Sequence, residues 1–485
     1  MEKVDVYGRR APILHYKALF GVVLYRLCKK KPAPPNRRTF NPFNGANNLF
    51  KISSSQVTLN DSPPDQLASF KLKLFWSAEL ISSIALGVYM VAFNLLTVKT
   101  YGHLGISMIT IAYAIPQTLL VLFGGVTSDN INKQTLYRIC QILFILVGLM
   151  LFFACLEGSP PLWLLFLASA LSGVIVAFCS PTKTSLISSL VSESRVTSTQ
   201  EYFYLATGLG WVLGSLLFSL LHIVKIPYIH NSTEATAFLF YVFALLPSIF
   251  LVPKGSKPLL VSNFKKSLLD EFRASLMGIK NSFLYLQSSS SIKILMWLLA
   301  IVLIFGMPFT ILISIFAHYH PTLKPPEQFF SHIYAALSIG QVVGGLLGIL
   351  IARPSLMRST LFIYFIFGLC CSAVIALNTN QYWLILITVL LSSLFTSVCC
   401  NLLRGLIQSL STENMRGRIA GLTQLMAGLS SASAGIAGFL AHHLSKNGAS
   451  DYSAYESVML GMLILLAILA LLTLPTIIKS RIKFQ

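Results

Sequence analysis

Charge is what this sequence has least of. Only 11% of its 485 residues are Asp, Glu, Lys or Arg, against about 25% in an ordinary soluble protein, and the mean hydropathy is +0.73. Acidic residues are scarcer still, 16 against 36 basic ones. A chain so poor in polar surface cannot cover a water-soluble globule of this length. Strand-like alternation of polar and apolar residues is also missing, which excludes a membrane β-barrel. The eight cysteines (28, 140, 155, 179, 370, 371, 399, 400) all fall in apolar segments or in the basic N-terminal stretch. None lies where an oxidising compartment would pair it, so they read as small packing residues. No nucleotide-binding, metal-binding or cofactor motif occurs, nor the His-x-x-x-x-Asp of acyl transfer, so no enzyme activity and no cofactor are expected.

What the chain has in abundance is long apolar runs. Twelve are long enough to cross a bilayer. They cover roughly 74–98, 104–123, 136–156, 162–181, 202–224 and 235–252, then 294–317, 331–352, 359–378, 383–403, 419–441 and 457–478. The expected fold is therefore an all-α polytopic membrane protein with twelve transmembrane helices. With an even number of spans both termini share a side. That side carries 32 Lys and Arg, and the opposite side only Lys99, Lys225, Lys324 and Lys446. The bias puts both termini in the cytoplasm. The formal charge of +20 is thus a topology signal, and no nucleic-acid partner is expected.

Four regions follow. Residues 1–70 are a basic cytoplasmic extension. Its short apolar run at 18–32 ends in three lysines, reading either as an anchor lying flat on anionic membrane lipid or as a free tail. Residues 71–252 are a first six-helix half, 253–291 a basic cytoplasmic linker with an amphipathic stretch at 268–286, and 292–485 a second six-helix half with a short tail. The halves are repeats. LISSLVSES at 186–194 returns as LIQSLSTEN at 406–414, 220 residues on. The same offset pairs Gly124-Gly125 with Gly344-Gly345, Lys133 with Arg353, and Ser215 with Gly435. Each LIxSL stretch is read as running into a polar turn between spans, the second carrying Met415-Arg-Gly-Arg418. Duplicated bundles of this kind place a substrate site at the repeat interface near the membrane midplane.

Gly124-Gly-Val-Thr-Ser-Asp-Asn-Ile-Asn-Lys133 resembles the G-x-x-x-D-R-x-G-R-R signature of the major facilitator superfamily, with Gly125, Asp129 and Lys133 in register. Asn130 replaces the usual basic residue. Asn132 replaces a glycine, where the left-handed conformation that Asn tolerates is expected. The second copy keeps Gly345 and Arg353 but has Ile349 for the aspartate. SPTKTSLISSLVSESRV at 180–196 and NLLRGLIQSLSTENMRGRIAG at 401–421 resemble the branch with the enterobactin exporter and macrolide efflux proteins. The resemblance implies the major facilitator fold, acting by alternating access as a monomer in the inner membrane. It implies efflux of a siderophore or amphipathic drug-like molecule, with protons as the superfamily's commonest coupling ion. Import of a nutrient or lysolipid, or a sensor built on the fold, are the alternatives.

Candidate residues fall into three groups. A conformational latch is expected from Gly125, Asp129, Lys133, Arg404, Arg416, Gly417 and Arg418, with Asp129 facing the positive N-terminal end of span eleven. Transport or coupling is assigned to Glu79, Asn94, Gln117, Gln341 and Asn401. Glu79 is the one carboxylate well inside a span, where it would carry a coupling proton, pair with a cationic substrate, or sit at the headgroup boundary. For the amides, helix-packing hydrogen bonds compete with a transport role. The arginine found in span four of proton-driven relatives is missing, with Ser169 near its place. Gly208, Gly210 and Gly214 form a helix-packing motif in span five. It resembles the exporters' G-P-x-x-G-G, but Trp211 and Ser215 break the pattern. Pro116, Pro247, Pro308 and Pro475 are candidate hinges. His318, His320, His442 and His443 would form a metal site only if two loops converged, and no metal is expected.

Overall fold

A chain without polar surface satisfies its backbone inside the bilayer through helices, and the computed structural model follows that rule throughout. It describes residues 63–130, 132–191, 196–223, 233–253, 289–320, 326–351, 360–411 and 413–479. The apolar run at 18–32 and the amphipathic stretch at 268–286 lie outside the described residues.

The first helix, α1 (Pro63–Asn130), has 68 residues, about 100 Å at the usual rise and over three times the ~30 Å hydrocarbon core. It is two spans. Gly102, at φ 56 and ψ −142, breaks it into limbs 63–101 and 103–130, in a conformation that costs glycine little because it has no Cβ. The first half continues with α2 (Lys133–Leu156), α3 (Leu162–Leu190), α4 (Val196–Ile223) and α5 (Thr233–Phe250). The second half opens with α6 (Ser290–Ile301), a π-turn at Val302–Gly306 and α7 (Met307–Tyr319), which together make one crossing. Then come α8 (Pro326–Ile351), α9 (Thr360–Leu377), α10 (Tyr382–Leu410), α11 (Glu413–Lys446) and α12 (Asp451–Lys479). Ten helical stretches among the described residues are long and apolar enough to span, and one of them, Phe70–Val121, holds two crossings. With the shorter apolar Ile366–Leu377 of α9, the twelve expected spans are accounted for.

Helices outrun the apolar segments that announce them. α3 and α10 are each 29 residues long, begin and end 220 residues apart, and continue past the apolar limits at 181 and 403. Pro181 sits inside α3; membrane helices tolerate this where neighbours satisfy the freed backbone. The polar stretch at 413–418 is helix, not turn: α11 starts at Glu413, an acidic residue at the positive end of the helix followed by good helix formers with a single tolerated glycine. Likewise Gly124–Asn130 belongs to α1. Asn132 (φ −58, ψ 111) is not left-handed; its side chain caps α2 by accepting from the Gln134 amide at 3.0 Å.

Helices α1–α5 pack on one another, as do α6–α12, and the two groups meet along two main seams: α1 with α11, and α4 with α8. Small residues make these seams close. A Cβ on Gly428 would overlap Thr118, and one on Gly435 or Gly438 would meet Ser107 or Ile111. On the other seam Gly208 lies under Val342 and Ser331 Oγ donates to the Ser215 carbonyl at 3.0 Å. The π-turn has an identifiable cause. Pro308 has no N–H for the Ile304 carbonyl four residues back, and Ser433 Oγ of α11 donates to that carbonyl instead, at 2.8 Å.

Candidate functional site

The first cluster is built around Glu79. It stands on the first limb of α1, one turn inside the apolar run, and is 5% exposed. A carboxylate there persists only if its lone pairs are occupied, and four helices supply the partners. Lys183 Nζ of α3 lies 2.6 Å from Oε1. Thr207 of α4 donates to the same oxygen at 3.1 Å, and Tyr137 of α2 donates to Oε2 at 3.2 Å. Ser83, one turn along α1, donates at 3.4 Å. Beneath the pair lies an apolar cluster that includes Phe75, Tyr137, Leu186 and Phe203, with Phe75 edge-on to Tyr137 at 5.7 Å. Glu79 is thus paired within the first half.

The second cluster lines a cavity of about 170 Å³ between α7, α8 and α10, bounded by Met307, Gln341, Ser393, Thr396, Ser397, Cys400, Asn401 and Arg404. The six from α10 recur at intervals of three and four residues, one face of a helix. Ser393 and Ser397 donate to the carbonyls of Leu337 and Gln341 at 2.6 and 2.9 Å, which ties α10 to α8. Asn401 and Gln341 are exposed. Gly345 faces the Asn401 amide at 3.5 Å from where a Cβ would stand, so the glycine of the second motif copy leaves room beside the cavity wall.

The third cluster closes the bundle at the Gly102 end. His103 is 5% exposed and stacks on Tyr319 of α7 at 4.7 Å and Tyr455 of α12 at 4.5 Å. Its Nε2 lies 2.8 Å from Asp451 Oδ1. Ser445 of α11 donates to the same oxygen at 2.5 Å. His103 thus joins the first half to α7 and α12 of the second, and Ser445 ties α11 to the same carboxylate. Nearer the middle of the bundle, Asn94 Nδ2 donates to Tyr334 Oη of α8 at 2.9 Å.

The expected residues are therefore dispersed. Gln341, Asn401 and Arg404 share the cavity, Glu79 sits in its ion pair, and Asn94 bridges the halves. Gln117 is half-buried on the second limb, its Oε1 unpartnered among the described residues. Gly210 and Gly214 lie where α4 crosses α1 most closely: a Cβ on Gly214 would sit 2.9 Å from Gly87 Cα. Lys133 opens α2. Gly125 lies in α1 and Gly417 in α11, and the side chains of Asp129, Arg416 and Arg418 fall outside the described residues. Sequence reasoning missed Lys183, Tyr137 and Thr207 around Glu79, and missed the α10 stripe. Lys183 looked like a loop cation because the apolar run ends two residues before it. The stripe was visible as helical spacing of Ser, Thr, Cys, Asn and Arg in an apolar segment.

Family comparison agrees with this architecture. The Major Facilitator Superfamily model matches residues 75–435. Among solved structures, a bacterial homologue of the iron transporter ferroportin in an inward-facing state shares 16% identity at a TM-score of 0.61, covering 83% of this chain and 98% of its own. A bacterial homologue of the human lysosomal transporter Spinster, also inward-facing, shares 13% at 0.61, covering 87% and 99%. The nucleoside transporter NupG shares 11% at 0.62, covering 84% and 98%. No curated protein matches the chain. At such identities the structures speak for the fold, while the match over residues 75–435 decides membership: this chain belongs to the major facilitator superfamily.

Proposed function

We propose that this protein is a secondary active transporter that exports a small organic molecule, a siderophore or an amphipathic drug-like compound, across a bacterial inner membrane by alternating access. The observation that carries the reading is the polar cavity of α7, α8 and α10, set in an otherwise apolar bundle whose halves meet on narrow, small-residue seams. The 32-to-4 bias of Lys and Arg supports cytoplasmic termini, which makes the Gly102 end the outer one. The His103, Tyr319, Asp451 and Tyr455 contacts then hold the outer side shut while the cavity is loaded from the cytoplasm. Direction is supported by the resemblance of 180–196 and 401–421 to exporter sequences and by the tight α1–α4 crossing at Gly210 and Gly214.

Glu79 is assigned to coupling. Protonating it would release Lys183 and loosen four helices at once, and a proton is the simplest ligand able to do so. Asp129 and Lys133, with Arg416 and Arg418 at the start of α11, are assigned to the latch on the cytoplasmic rim.

Untargeted mass spectrometry of cells and medium, with and without the gene, in iron-poor and iron-rich growth, tests this directly. Export predicts a compound that disappears from the medium and accumulates inside when the gene is deleted. A compound left behind in the medium would reverse the direction and make the protein an importer.

A further inference from the structure

We propose that the α7–α8–α10 cavity binds an oxyanion of the cargo, a carboxylate or a phosphate, with Arg404 as its counter-charge. The assignment rests on the transporter reading above and narrows it to a class of substrate.

Arg404 lies inside the apolar stretch Tyr382–Ile407. A charge at such a position is costly and is kept where it faces a partner, water or a ligand. The bundle's other lysines near carboxylates have found them: Lys183 on Glu79 at 2.6 Å and Lys99 on Glu234 at 3.2 Å. Arg138 Nε donates to the Ile249 carbonyl at 2.9 Å. Arg404 makes no ion pair among the described residues, and its Nε is buried without a hydrogen-bond partner there. Its guanidinium is a planar fork suited to carboxylate or phosphate oxygens.

The rest of the cavity fits the same ligand. Its polar lining beside Arg404 is neutral: Gln341, Ser393, Thr396, Ser397 and Asn401. The serine hydrogens are already committed to α8 carbonyls, and Thr396 donates to the Ser392 carbonyl at 2.8 Å. Among the described residues the remaining donors are the amides of Gln341 and Asn401; the latter makes a long 3.4 Å bond to Ser397 there. Among the described residues no carboxylate lines the cavity, so a cationic group entering it would find no counter-charge there. At about 170 Å³ the cavity admits a head group, with Met307 and Cys400 offering soft apolar contact to the atoms behind it.

The test uses the full chain purified in a neutral maltoside detergent, with four eight-carbon probes: octanoate, octyl phosphate, octyl glucoside and octyltrimethylammonium. Thermal stabilisation is titrated for wild type, Arg404→Gln, Arg404→Lys and, as a remote cation control, Lys99→Gln. At least one anion should stabilise wild type and Lys99→Gln, and the two anion arms tell carboxylate from phosphate. Arg404→Gln should weaken that anion at least tenfold, with Arg404→Lys in between. If Arg404→Gln does not fold, Asn401→Asp replaces it and should abolish the anion response. Stabilisation by the ammonium probe equal to that by the anions, an anion response unchanged by these substitutions, or no response to either anion up to millimolar concentration would overturn the assignment. An exported compound without an acidic group would also overturn it, while leaving the transporter reading standing. A binding response with no compound moved in cells would do the reverse.

Discussion

Helices α3 and α10 have the same length and begin and end 220 residues apart, yet they do opposite things with their polar residues. α3 places Lys183 in a buried pair with Glu79. At the corresponding positions of the second half stand Leu403 and Leu299, both fully buried, while Ser83 and Thr207 become Leu303 and Ala427. α10 instead turns Ser393, Ser397, Asn401 and Arg404 to a cavity, where α3 has Gly173, Ala177, Pro181 and Thr184. The fold can evidently close the first layer with leucine. A buried ion pair does not ordinarily outperform well-packed apolar residues, so the pair in the first half calls for a reason other than packing. On the function proposed above, one half would hold a releasable charge and the other a lining for cargo.

Making the halves alike tests that contrast, and the largest effect is expected at the pair. Lys183→Leu alone strands the buried Glu79 carboxylate and should cost about 3–5 kcal/mol, seen as a large fall in the thermal midpoint in detergent; Glu79→Leu strands only the part-buried Lys183 and should cost less. The double leucine variant, which copies the second half, should recover most of that loss. A double-mutant cycle without coupling would remove the pair from the account.

A smaller effect is expected where α4 crosses α1. Gly214 corresponds to Ala434, and Gly87 to Met307, so the second half carries larger side chains at the corresponding positions. Gly214→Ala places a methyl 2.3 Å from the Ile84 carbonyl oxygen and 2.9 Å from Gly87 Cα and Val88 N, all backbone atoms, and should cost about 1–3 kcal/mol. Gly461→Ala, with nothing within 4 Å, should change the midpoint little in the same assay.

The smallest effect concerns Pro308, whose first-half counterpart is Val88. Ser433→Ala leaves the Ile304 carbonyl without its donor and should cost about 1 kcal/mol. In Pro308→Val the valine N–H replaces the serine, so adding Ser433→Ala there should cost less; an equal loss in both backgrounds would show that the serine acts otherwise.

The spans and the repeat were legible because apolar run length and the 220-residue offset are properties of sequence. Helix ends were not. Hydropathy reports where lipid stops, and α3 and α10 continue beyond that point, so Lys183 and Arg404 read as loop cations when both lie in helices. Asn132 was misread for a related reason: its side chain caps a helix, a role that sequence alone does not separate from a left-handed turn. The pairing of Glu79 with Lys183 needed three dimensions, since 104 residues separate them. The α10 stripe needed only attention to helical spacing.

The most direct measurement is export of the compound found in cells, followed while a protonophore collapses the proton gradient, in wild type and in Glu79→Leu/Lys183→Leu. Wild-type export is expected to fall with the gradient, and the folded double variant to export weakly at a rate the protonophore does not change. Export by the double variant at the wild-type rate, with the wild-type dependence on the gradient, would contradict this and reduce the ion pair to packing.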